Sequence, residues 1–95
     1  MKITGIIWYR EYVIKMEIKH HVYRDEIRHI LLGSPSIRRI GKGKRHSGEH
    51  LYAAYGQSDD GRYLTIFFLH KNDSRALVIS ARDMDNKERR QYGKK

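Results

Sequence analysis

Cysteine is absent from the chain, and proline occurs once, at Pro35. The missing thiols exclude disulfides, thiolate zinc sites, iron–sulfur clusters and a cysteine nucleophile, and they fit a reducing compartment. No apolar run approaches the ~18 residues that a membrane span needs. Met1-Lys2-Ile3-Thr4-Gly5 lacks the apolar stretch and small-residue cleavage site of a secretory signal. A cytoplasmic setting, away from membranes, is the expectation. Acids are scarce as well: 11 Asp+Glu stand against 20 Lys+Arg, a net charge of +9 on 95 residues. A chain of this length reads as one domain, residues 1–95, able to bury roughly 65% of its unfolded surface. Its summed field favours a polyanionic partner.

Period and punctuation predict the elements. Ile3 to Tyr9 is a short apolar, β-branched run that reads as a strand. Between Arg10 and His20 the rhythm becomes helical, with Tyr12, Val13 and Met16, and Ile14 and Ile18, on a broad stripe. A second helix begins at Arg24-Asp25-Glu26, carries Ile27, Ile30 and Leu31 on one face, and is stopped by Gly33 and Pro35. Ser36 to Ile40 is a weak strand, followed by a glycine-rich basic loop from Lys42 to Gly48. His50 to Gly56 alternates, with Leu51, Ala53 and Tyr55 sharing a face; Asp59-Asp60-Gly61 is a hairpin turn signal. Tyr63 to Leu69 is almost continuously apolar and predicts a central strand covered on both faces. After Lys71-Asn72-Asp73-Ser74 comes the strand Ala76-Leu77-Val78-Ile79, and Asp85 with Glu88 forms a capping box that starts a terminal helix through Tyr92. The expected fold class is α+β in the order β-α-α-β-β-β-β-α, an antiparallel meander sheet with helices packed against it. The short final turns require antiparallel neighbours.

Charge is unevenly placed. Arg38, Arg39, Lys42, Lys44 and Arg45 come within eight residues with no acid among them. The segment from Arg82 to Lys95 holds six cations against three acids. Repelling charges in a loop oppose its ordering but suit phosphate binding, where counterion release supplies affinity. Seven tyrosines offer stacking faces for unpaired bases, although tyrosine is also an ordinary sheet residue.

Metal and cofactor motifs are missing. His20 and His21 are adjacent, so on a helix they point about 100° apart, and no HExxH accompanies any of the six histidines. There is no P-loop, dinucleotide glycine motif or nucleophile elbow. No cofactor and no metal are expected. What the chain does hold are the groups for metal-free RNA cleavage: a base for the 2′-hydroxyl, cations for the charged transition state, and an acid for the leaving 5′-oxygen. Glu49, Glu88 and the histidines are candidate bases; Arg45, Arg62 and Arg82 are candidate cations; Tyr92 could orient or donate. Composition does not choose among them.

The stretch Arg75-Ala76-Leu77-Val78-Ile79-Ser80-Ala81-Arg82, then Glu88-Arg89-Arg90-Gln91-Tyr92, resembles the signature of BrnT-type toxins. These are small RelE-like ribonucleases of bacterial type II toxin–antitoxin systems. Tyr52-Ala53-Ala54-Tyr55-Gly56 and Gly61-Arg62-Tyr63-Leu64 are similar to the family's aromatic-x-x-x-Gly and Gly-Arg hairpin. Trp8, Lys19-His20 or His21, Val22 and Glu26 resemble its N-terminal pattern. The resemblance implies a RelE/BrnT-like fold and a growth-inhibiting, metal-independent endoribonuclease. Its implied partners are RNA and a BrnA-like ribbon-helix-helix antitoxin, with DNA reached only through that antitoxin; a homodimer or a toxin–antitoxin heterotetramer is the assembly in view. Catalysis would fall to Arg82, Glu88, Tyr92, Glu49 and His21, and substrate binding to Arg62, Arg45, Lys44 and Lys42. The chain departs from the family where members often carry an arginine before the hairpin aromatic, here Leu51, and where Tyr9 follows Trp8 in place of an aspartate. The rival readings are a non-catalytic RNA- or ribosome-binding module of the same fold, and a protein-interaction domain.

Overall fold

The computed structural model describes residues 1–42 and 49–94, Lys42 by its backbone alone. The proposed substrate-binding Lys44 and Arg45 lie outside the described residues. The elements run β1 (Gly5–Ile7), α1 (Arg10–His20), α2 (Arg24–Leu32), β2 (Ser36–Lys42), β3 (His50–Gln57), β4 (Tyr63–His70), β5 (Arg75–Asp83) and α3 (Asn86–Gly93). This α+β order is the expected one. No helix among the described residues is long and apolar enough to cross a membrane.

The sheet corrects one expectation: it is mixed. Strands β2 to β5 form the antiparallel meander, but β1 runs parallel to β5, pairing Gly5 with Arg75 and Ile7 with Leu77, and the order is β1-β5-β4-β3-β2. The reason is that the meander ends on β5 with one row of N–H and C=O groups unpaired, which an edge does not leave exposed without cost. β1 covers that row, and the bond from Thr4 N–H to the Ser74 carbonyl (2.9 Å) extends the pairing into the β4–β5 turn. The crossover from β1 into the rest of the sheet is long because α1 and α2 occupy it.

Both of those helices pack on one face. Ile27, Ile30 and Leu31 of α2 and Val13 and Met16 of α1 join Ala54, Leu64, Ile66, Phe68, Ala76, Val78 and Ala81 of the sheet in a single buried cluster. The stripe of α1 is narrower than its sequence suggests, since Ile14 and Ile18 are exposed. At Gly56 a Cβ would lie 2.6 Å from Ile30 Cγ2, so glycine is what lets α2 approach β3 this closely. β4 is the middle strand, as its apolar run predicts, with only its two ends and Phe67 partly exposed. The β3–β4 connection is a five-residue loop, in which Ser58 N–H meets the Arg62 carbonyl (2.8 Å) and Gly61 takes φ +90°.

Side chains alternate along the strands except where a bulge steps the register, in β2 between Arg39 and Gly41 and in β5 between Val78 and Ser80. Since Ala54, Ile66 and Ala81 face the helices, their neighbours Tyr55, Thr65 and Arg82 face the other way, and register sets these three in one row: Tyr55 opposite Thr65, Thr65 opposite Arg82. The next row carries Arg38 opposite Ala53 opposite Phe67. This second face, away from α1 and α2, is where the chemistry collects.

Candidate functional site

The chain leaves β5 at Asp83, anchors with buried Met84, whose N–H bonds the Tyr63 carbonyl (3.0 Å), and enters α3 through the capping box that the sequence predicts. Asp85 Oδ1 accepts from Glu88 N–H (2.8 Å), and Glu88 Oε1 accepts from Asp85 N–H (2.9 Å). The box folds the Glu88 carboxylate back over the sheet, where Arg82 meets it in a two-pronged pair, Nη1 to Oε1 at 2.7 Å and Nη2 to Oε2 at 2.9 Å. Thr65 donates to the same Oε1 (3.1 Å). The guanidinium also bonds the Asp83 carbonyl (3.1 Å) and lies over the Phe67 ring, 5.3 Å from its centre. Five N–H groups on arginine and three such bonds leave Nε–H and one Nη2–H for a ligand, among the described residues.

Burial pushes the Glu88 carboxyl up, but the hydrogen bonds from Arg82, Asp85 N–H and Thr65 and the Arg82 charge outweigh it, so the group is held below the usual glutamate range. A carboxylate so placed is a weak base. It is a strong anchor for Arg82. The lowering has a stability consequence: unfolding returns Glu88 to its ordinary affinity for protons, so the unfolded state binds more of them. Its contribution is complete above the ordinary value of about 4.3 and fades as pH falls toward the lowered one. Acid unfolding followed by circular dichroism should therefore steepen below that point, and Glu88→Gln should flatten this limb; an unchanged limb would mean that the pair does not form in solution.

Beside the pair stand two groups that sequence reasoning did not select. Tyr55 is half-buried in the row of Thr65 and Arg82, and Arg38, exposed on β2, is its diagonal neighbour. Burial raises the Tyr55 phenol above its ordinary value; Glu88 adds to that, and Arg38 and Arg82 oppose it. The phenol therefore remains neutral near pH 7. Neither Arg38 nor the Tyr55 hydroxyl has a hydrogen-bond partner among the described residues. The available signal was the alternation in β3, which sets Tyr55 on the same face as Leu51 and Ala53. The cross-strand register that completes it is not in the sequence.

The other predicted residues fall elsewhere. Tyr92, one turn beyond Glu88, packs edge-on against Tyr63 (6.0 Å between ring centres), whose face carries Arg89 at 4.1 Å. Glu49 pairs with Lys71 (2.7 Å) at the opposite end of the sheet; six residues of strand put it about 20 Å from Tyr55. His21 closes α1 in the left-handed conformation (φ 54°), on the helix side, and its carbonyl accepts from Arg62. Arg62 is bound on that side too, to Glu26 (3.2 Å) and Asp83 (3.0 Å). Lys42 ends β2, paired with His50. The structure thus brings together Arg82 and Glu88, with Tyr92 nearby on α3, and separates them from Glu49, His21 and Arg62. Among the described residues no group of three or more His, Asp or Glu side chains could hold a metal ion.

No protein-family model matches the chain, and no curated protein is significantly similar to it.

Proposed function

We propose that the chain is a BrnT-type toxin ribonuclease, acting on RNA without a metal and restrained in the cell by a BrnA-like ribbon-helix-helix antitoxin. The observation that carries the reading is the Arg82–Glu88 pair on the sheet face away from α1 and α2, beside the Arg38 guanidinium, unpaired among the described residues, on a chain of net charge +9. A phosphodiester seated between Arg38 and Arg82 meets two cations from opposite flanks, and a fixed guanidinium is worth most to charge that develops in the transition state. Glu88 orients Arg82; Tyr92 steadies α3 beneath it. Lys42 at the end of β2, with Lys44 and Arg45 of the basic segment that follows, would hold the flanking backbone.

A second reading has its own support. Glu88 is occupied by four donated hydrogen bonds, and Glu49 and His21 stand away from the pair, so among the described residues the cluster holds no free carboxylate or imidazole to serve as base. A non-catalytic RNA-binding module of the same fold needs none. Purified protein incubated with total bacterial RNA separates the two. Cleavage predicts new fragments with 5′-hydroxyl ends, unaffected by a divalent chelator; binding alone predicts a salt-sensitive mobility shift with intact RNA. Neither outcome would leave the RNA reading without support.

A further inference from the structure

If the site cuts RNA, the leaving 5′-oxygen has to be protonated as its bond to phosphorus breaks, and the choice of donor can be narrowed by geometry. The row Tyr55–Thr65–Arg82 contains no histidine or lysine, and the histidines of the described residues lie in α1, in α2 or at the far end of the sheet. Thr65 spends its hydroxyl proton on Glu88. Both arginines are too basic to give up a proton. Among the described residues of this row Tyr55 remains: its hydroxyl is unpartnered there, its ring is half-buried in β3, and strands about 5 Å apart set it between Arg38 on β2 and Thr65 on β4, with Arg82 one strand further on. A phosphate held by those two cations would rest against the phenol.

We propose that Tyr55 is the proton donor to the leaving 5′-oxygen, a role that rests on the ribonuclease reading above. In the step, the 2′-oxygen bonds to phosphorus and loses its proton to water, while the P–O5′ bond breaks and its electron pair passes to the 5′-oxygen. That oxygen takes the Tyr55 proton, leaving a 2′,3′-cyclic phosphate and a 5′-hydroxyl; the phenolate, favoured by Arg38 and Arg82 but disfavoured by burial and Glu88, is reprotonated at once from solvent. The phenol suits this exchange because it stays protonated until the 5′-alkoxide, a far stronger base than a phenolate, begins to form beside it.

The test compares wild type and Tyr55→Phe on two oligoribonucleotides with one cleavable linkage, its bridging 5′-atom oxygen in one and sulfur in the other. Sulfur departs as a thiolate without needing a proton. The variant should cut the oxygen substrate at least ~10²-fold more slowly, yet match wild type within a few-fold on the sulfur substrate. Equal slowing on both substrates, or none on either, overturns the assignment while the ribonuclease reading stands. Wild type that cuts neither ends that reading itself, and the assignment with it. Removing one hydroxyl that has no partner among the described residues should leave the melting temperature nearly unchanged, and a melt recorded alongside verifies this.

Discussion

Replacing Arg82 with alanine should abolish growth arrest when the chain is expressed inducibly in bacteria, and should slow RNA cleavage by about 10²–10³-fold, the usual cost of losing one fixed donor to a developing anion. The size of the effect follows from how the guanidinium is held. Glu88 grips both Nη atoms, Asp83 takes a third hydrogen bond, and Phe67 supports the plane from below. Little reorganisation remains to be made when charge builds on phosphorus. Arg82→Lys should recover almost nothing, because a single ammonium cannot keep both Glu88 oxygens and still present donors to a phosphate. Glu88→Gln should fall between, since it keeps the cap and one Arg82 contact but drops the charge that aligns the fork. The fold should survive all three, with a loss of about 1–2 kcal/mol for a partly exposed pair, which thermal melts would show. Equal arrest by wild type and Arg82→Ala, or arrest by neither, would remove Arg82 from catalysis.

How much of this could be read from the chain differs between kinds of information. Local patterns translate well: Arg10 to His20 is a helix with those ends, Ile27, Ile30 and Leu31 are all buried, and Asp85 and Glu88 make both halves of their capping box. Capping and helical spacing are set within four residues, so sequence carries them. The parallel seat of β1 was not legible, because its partner β5 lies some seventy residues on and no turn joins them. The bulge that steps the β2–β3 register between Arg39 and Gly41 was equally hidden, although β2 reads correctly as a strand up to Ile40 and then runs on to Lys42. For the site the division is the same. Arg82 and Glu88 share one strand-to-helix corner and could be paired on paper. Tyr55 and Arg38 enter only once three strands are in register, and Glu49 and His21 leave for the same reason.

Arg62→Ala should destabilise the fold by about 2–3 kcal/mol, lowering the melting temperature by roughly 10–20 °C for a domain of this size. Arg62 begins β4's hairpin arm and sends its guanidinium into the gap between α1, α2 and the end of β5. Nη1 donates to the His21 carbonyl (2.6 Å) and to both Glu26 oxygens (3.2 Å), and Nη2 to Asp83 (3.0 Å) and the His20 carbonyl (3.4 Å). Glu26 in turn caps α2 by accepting from Tyr23 N–H (3.0 Å). One side chain therefore satisfies the open carbonyls at the end of α1 and compensates a carboxylate only 15% exposed. Alanine would leave that carboxylate buried without its cation, the costly half of breaking such a pair. Adding Glu26→Gln should then recover part of the loss, a coupling that a double-mutant cycle measures directly. Arg62→Lys should recover little, since one ammonium cannot span carbonyls and carboxylates on three elements. If Arg62→Ala instead melts like wild type and weakens RNA binding alone, the residue belongs to the substrate after all, and the corner it bridges is held by packing.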